Sequence, residues 1–132
     1  MKLSMMIILG LAGAEGSERH ALATAKAINI IKPTHLSALC LMLYRGSELL
    51  DQYEAGKFNP LSPAGLMREL KLIIENIDLP ADRHCLFRSN HVSNYVQLAA
   101  TLPHDKQRLL RDIDYSIAQL SKLKSWDVYN YD

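Results

Sequence analysis

The chain is expected to fold as an α/β protein, with a short parallel sheet whose helices pack on its outer face. Two observations carry that expectation. The runs Leu3 to Leu11 and Leu36 to Tyr44 are almost continuously apolar and of strand length, as strands of parallel sheets usually are. Each is followed by a segment with apolar residues three and four positions apart, so strand and helix alternate. With 132 residues the chain suits one domain, 1–132, with its own core.

The first strand ends in Gly10-Leu11-Ala12-Gly13-Ala14-Glu15-Gly16. Ser17 then offers a hydroxyl to the first free amides of a helix, Glu18 complements its positive end, and Ala21, Leu22, Ala25, Ile28 and Ile31 form an apolar stripe. Pro33 ends that helix. After the second strand, Arg45-Gly46-Ser47 turns into a short helix from about Glu48 to Ala55, which Gly56 stops. Ser62 followed by Pro63 is a cap with proline at the first helical position. Leu66, Leu70, Ile73, Ile74 and Ile77 then mark the clearest helix of the chain, up to Pro80. Cys85 to Arg88 reads as a third strand, and Pro103 opens a last helix with Leu109, Leu110, Ile113, Ile117 and Leu120 on its buried face. The predicted order is β-α-β-α-α-β-α. The tail from Ser125 to Asp132, with Trp126, Tyr129 and Tyr131, is expected to pack along the last helix or a neighbour.

Composition narrows the function. The apolar fraction is 48% and the charged fraction 22%, and 15 basic against 14 acidic residues leave almost no net field. That balance argues against nucleic acid and against an anionic membrane surface as partners. Lys2, the run Leu3 to Ala12 and the small residues Ala12-Gly13-Ala14 imitate a secretory signal, but the segment is expected to be retained as the first strand. It is far shorter than the ~20 apolar residues that span a bilayer. Cys40 and Cys85 lie far apart, each inside an apolar run, which suits buried free thiols and a cytoplasmic setting rather than a metal site. His20, His35, His84 and His104 show no metal-ligand spacing and are read as solvated or capping residues.

Parallel strands joined by right-handed crossovers bring their carboxyl ends to one rim. The Gly10 turn, Arg45 and the polar stretch Arg88 to Tyr95 are therefore expected to share it, where α/β proteins bind ligands. Gly10-x-x-Gly13-x-x-Gly16 sits where a phosphate cradle of backbone amides belongs, although its spacing is not that of the dinucleotide fingerprint and no P-loop lysine follows. A plain tight β-α turn is the simpler reading. Arg88, Asn90, His91, Asn94 and Tyr95 suit a carboxylate or phosphate, with His91 as a proton donor near neutral pH; the alternative is that the arginine caps carbonyls and the asparagines build turns.

The segments Phe87-Arg-Ser-Asn-His-Val-Ser-Asn-Tyr95 and Thr101-Leu-Pro-His-Asp-Lys106 resemble the carboxyl-terminal signature of radical S-adenosylmethionine (radical SAM) proteins described as iron-sulfur oxidoreductases. Ile8-Leu-Gly10 with Gly13-Ala-Glu15, Tyr44-Arg-Gly-Ser-Glu-Leu49 and Lys57-Phe-Asn-Pro-Leu-Ser-Pro63 fit the same proteins in order. The resemblance implies a partial (β/α) barrel that binds S-adenosylmethionine and a 4Fe-4S cluster. The cluster motif C-x-x-x-C-x-x-C is missing, and Cys40 and Cys85 cannot replace its three thiolates, so the chain resembles the carboxyl-terminal half of such a barrel, inactive alone and binding neither cofactor by itself. By the same resemblance Ile8, Gly10, Gly13 and Glu15, with Leu41 and Leu43 on the next strand, lie near the cofactor. Met6 stands where the family has a glycine, Gly13 where it has an acid, and Glu15 is displaced by two. Arg45, Arg88, Asn90, His91, Asn94 and Tyr95 are the substrate-side candidates; no catalytic or metal-ligating residue is assigned. The alternatives are a small-molecule or nucleotide-binding module and a structural or interaction domain.

A half barrel has helices on one face of its sheet only. Its inner face and one strand edge then lack partners, which predicts a homodimer with residues from Met5 to Leu9 and Leu39 to Leu43 in its interface.

Overall fold

The computed structural model describes residues 2–41, 48–89 and 98–120, the side chains of Cys40 and Pro63 excepted. The elements run β1 (Ser4–Leu9), α1 (Ser17–Ile31), β2 (His35–Cys40), α2 (Glu48–Glu54), α3 (Pro63–Glu75), β3 (Cys85–Ser89), β4 (Leu98–Leu102) and α4 (Lys106–Leu120). They form an α/β fold around a four-stranded open sheet of order β1-β2-β3-β4. β1, β2 and β3 are parallel, and β4 returns antiparallel to β3.

Strand β4 was not foreseen. Leu98, Ala100 and Leu102 point into the core while Ala99 and Thr101 point out, but outward positions without charge hide the alternation that marks a half-buried strand. The last helix begins at Lys106 rather than at Pro103, because Asp105 is its cap: its carbonyl accepts the Leu109 N–H at 2.9 Å, and its carboxylate accepts the Thr101 N–H at 3.0 Å. The cap read at Ser62 is present, its hydroxyl accepting the Gly65 N–H at 3.0 Å. The cap read at Ser17 is not. Gly16 occupies the cap position and Ser17 lies inside the helix, its hydroxyl turned to Glu69 of α3.

Among the described residues the helices pack on one side of the sheet. Ile7, Leu9, Leu36, Ala38, Cys85, Phe87, Ala100 and Leu102 are buried toward the helices, and α3 is the centre of that layer, with Leu66, Met67, Leu70, Ile73 and Ile74 fully buried. Each such side chain contributes roughly 1.5–3 kcal/mol of burial free energy. α3 packs against both α1 and α4, which explains why its stripe is the widest. The opposite face of the sheet is bare: Met6 is 65% exposed, and Ile8 and Leu86 are also exposed. Of the interface expected between Met5 and Leu9, Ile7 and Leu9 face the helices, so on this face only Met6 and Ile8 are presented. β1 forms one edge of the sheet. Among the described residues no helix is long and apolar enough to cross a membrane.

Candidate functional site

The parallel register sets what can meet on the bare face. Met6 pairs with Ser37, Ser37 with Arg88, and Arg88 with Ala99, forming one row across all four strands. A second row holds Ser4, His35, Leu86 and Thr101, and Ile8 pairs with Leu39 above the first. Side chains alternate between faces, so the Arg88 guanidinium rises from the same face as Met6, Ile8, Ser37 and Leu86. Arg88 is exposed, and among the described residues its guanidinium makes no hydrogen bond or ion pair. On neighbouring strands about 4.8 Å apart, Ser37 stands beside it, with the half-buried His35 two positions below. An unengaged guanidinium on an apolar face is suited to bidentate capture of a carboxylate or phosphate.

The strand directions agree with a shared rim, but Arg88 is not on it. It lies at the level of Met6, four residues before Gly10, roughly 13 Å along the strand. Ile8 and Arg88 thus share the bare face, while Gly10, Gly13 and the exposed Glu15 lie beyond its upper end, where Leu41 continues the ladder through its N–H to the Leu9 carbonyl at 2.9 Å. Leu43, Arg45, Asn90, His91, Asn94, Tyr95 and the tail around Trp126 lie outside the described residues.

The glycine-rich turn is engaged from within. The Gly13 N–H donates to the Gly10 carbonyl at 3.0 Å, the Ala14 N–H to the Asn59 carbonyl at 2.7 Å, and the Gly10 N–H to the Glu69 carboxylate at 2.8 Å. A phosphate cradle requires those amides free and no carboxylate behind them. The glycines answer another need. Gly10 and Gly13 have φ of 85° and 72°, and a Cβ on Gly13 would sit 3.0 Å from the Asn59 carbonyl and 3.2 Å from the Phe58 ring.

Glu69, which the sequence reading did not single out, is the polar centre beneath this turn. Its side chain is fully buried; one oxygen accepts the Gly10 N–H, the other accepts the Ser17 hydroxyl at 2.8 Å, and the His20 Nδ1 lies 3.4 Å from the first. The signal was an acid inside the α3 stripe, three residues after Leu66 and four before Ile73.

Metal-binding chemistry has little to use here. Among the described residues no group of three or more His, Cys, Asp or Glu is placed to hold a metal ion. Cys85 faces the helix layer, and burial pushes its thiol up to about 11, away from the thiolate that a cluster requires. The described residues therefore do not fit a 4Fe-4S cluster. Comparison with family models, with curated proteins and with solved structures finds no match, so the functional reading rests on the residues and geometry of the chain itself.

Proposed function

We propose that the chain supplies one wall of a small-molecule site, in the manner of the carboxyl-terminal half of a radical SAM-like partial barrel, and holds no cluster of its own. The bare sheet face is the ligand side of that wall. Arg88 anchors a carboxylate or phosphate, and Met6, Ile8, Leu39 and Leu86 pack against the apolar part of the ligand. S-adenosylmethionine, which carries a carboxylate and a flat base, is the ligand the resemblance nominates, and the unengaged Arg88 is the reason to depart from the expectation that the chain alone binds neither cofactor. The observation that carries the reading is the unengaged Arg88 side chain in the row Met6-Ser37-Arg88-Ala99, on a face that none of the described helices covers. A second copy closing over this face, as the missing half of a barrel would, supplies the opposite wall.

Calorimetric titration of the chain with S-adenosylmethionine, and separately with ATP, tests the proposal. Saturable binding that Arg88→Met weakens by about tenfold or more, the loss of one charge-assisted bidentate contact, is expected. No binding of either compound, or binding indifferent to Arg88, would leave a structural or interaction role as the better account.

A further inference from the structure

A groove of about 380 Å³ runs along the β1 edge of the described sheet. Met5 to Ile8 floor it, His20, Ala23, Thr24 and Ala27 of α1 wall it, and Leu11 stands at one end. Among the described residues its lining is apolar except for Thr24 and His20, and His20 is the ionisable one. That histidine is held from behind. Its Nδ1 is buried, without a hydrogen bond, and 3.4 Å from the fully buried Glu69 carboxylate, while the side chain as a whole is 24% exposed. Nε2 is not buried and unpartnered in the same way as Nδ1, and His20 is one of the residues that line the groove.

The chemistry of the pair follows from its geometry. Both Glu69 oxygens already accept hydrogen bonds, one from the Gly10 N–H and one from the Ser17 hydroxyl, so they present only lone pairs toward His20. A ring nitrogen facing lone pairs carries the hydrogen, which leaves Nε2 of the neutral ring as the acceptor that His20 offers to an apolar groove. An acceptor in apolar surroundings is satisfied by a neutral hydroxyl. An anion would approach the buried Glu69 charge, and an ammonium would leave water for a single imidazole nitrogen. A cavity of about 150 Å³ already admits benzene, so the groove has room for a substituted ring.

We propose that this groove is a binding site for a small apolar alcohol or phenol, whose hydroxyl donates to His20 Nε2 while Glu69 fixes the tautomer. The groove shares Met6 and Ile8 with the bare face but does not include Arg88, so dependence on His20 tests this site and dependence on Arg88 tests the reading above.

The test uses 4-methylphenol against 4-methylanisole, which has the same ring but no hydroxyl hydrogen, followed by NMR on the imidazole nitrogens and the methionine methyls. The expected result is an Nδ1–H tautomer for His20 in the free protein. Saturable shifts of its Nε2 and of the Met5 and Met6 methyls should follow with the phenol, whose affinity should exceed that of the anisole by roughly fivefold. His20→Phe, which keeps the groove apolar and leaves Gly10 and Ser17 bonded to Glu69, should abolish that preference. Glu69→Gln should shift the His20 tautomer populations. An Nε2–H tautomer in the free protein, equal affinity for the two probes, or a preference that survives His20→Phe would each overturn the proposal.

Discussion

Replacing Glu69 with alanine should cost more than any surface change in the molecule, because the residue joins three elements. Its carboxylate receives the Gly10 N–H at the end of β1 and the Ser17 hydroxyl at the start of α1, each at 2.8 Å, from its own place on α3. Removing a buried acceptor leaves the Gly10 N–H without a partner, a cost of about 1–3 kcal/mol. The Ser17 hydroxyl is half-buried and regains part of its bond from water, which brings its loss to about 1 kcal/mol. With the vacated space, Glu69→Ala should lower stability by roughly 3–4 kcal/mol, within the range for opening buried polar networks. At a urea dependence of about 1.5 kcal/mol/M, the unfolding midpoint would fall by about 2 M. Glu69→Gln keeps the volume but offers an amide hydrogen to one donor, and should lose about half as much. In a cycle with Ser17→Ala the two changes should couple by about 1 kcal/mol. Equilibrium urea unfolding followed by circular dichroism reads all of this. A loss below about 1 kcal/mol for Glu69→Ala, or strict additivity with Ser17→Ala, would refute the idea that the carboxylate pins the turn.

Burial raises the Cys85 thiol to about 11 from an ordinary 9.0, so the folded state resists its ionisation. The stability this gives is complete below pH 9 and is lost as pH rises toward 11; wild type should therefore lose about 2–3 kcal/mol more than Cys85→Ala across that window in urea titrations. The Asp105 carboxyl lies below its usual range, first because it accepts the Thr101 N–H and also because Arg108 is near. Its contribution is present above the ordinary carboxylate range and fades as pH falls, so Asp105→Ala should destabilise the protein at neutral pH and lose its effect in acid melts. The bare face predicts self-association: light scattering should give about twice the 14.9 kDa chain mass, and Met6→Lys with Ile8→Lys should return a monomer. A wild-type monomer at micromolar concentration would mean that another part of the chain covers this face.

Which parts of the molecule were legible follows from how each is stabilised. α3 was readable because its spacing of three and four residues is the direct imprint of a helix buried along one stripe. β1 and β2 were readable because apolar runs close to glycine or proline leave few alternatives, and β3 because Cys85, Leu86 and Phe87 make a short apolar run between polar segments. β4 was hidden because Ala99 and Thr101, its outward residues, lack the polarity that marks alternation. Ser17 was given a cap it does not make because a local rule cannot see Glu69, 52 residues away. The Gly10 turn likewise reads as an anion cradle locally and is closed by partners distant in sequence, Asn59 and Glu69. Arg88 stands out in the sequence for its polar neighbours, yet its setting comes from the strand register, which pairs it with Ser37 and aligns it with Met6.

The ligand-binding role of the bare face is tested most directly by methyl NMR of the methionine- and isoleucine-labelled chain during titration with S-adenosylmethionine. Saturable shifts are expected at Met6 and Ile8 on the bare face, with Met67 and Ile73 in the helix layer unmoved, and Arg88→Met should reduce them in proportion to lost affinity. Shifts confined to the helix-layer methyls, or none at concentrations that saturate binding measured by calorimetry, would contradict the account.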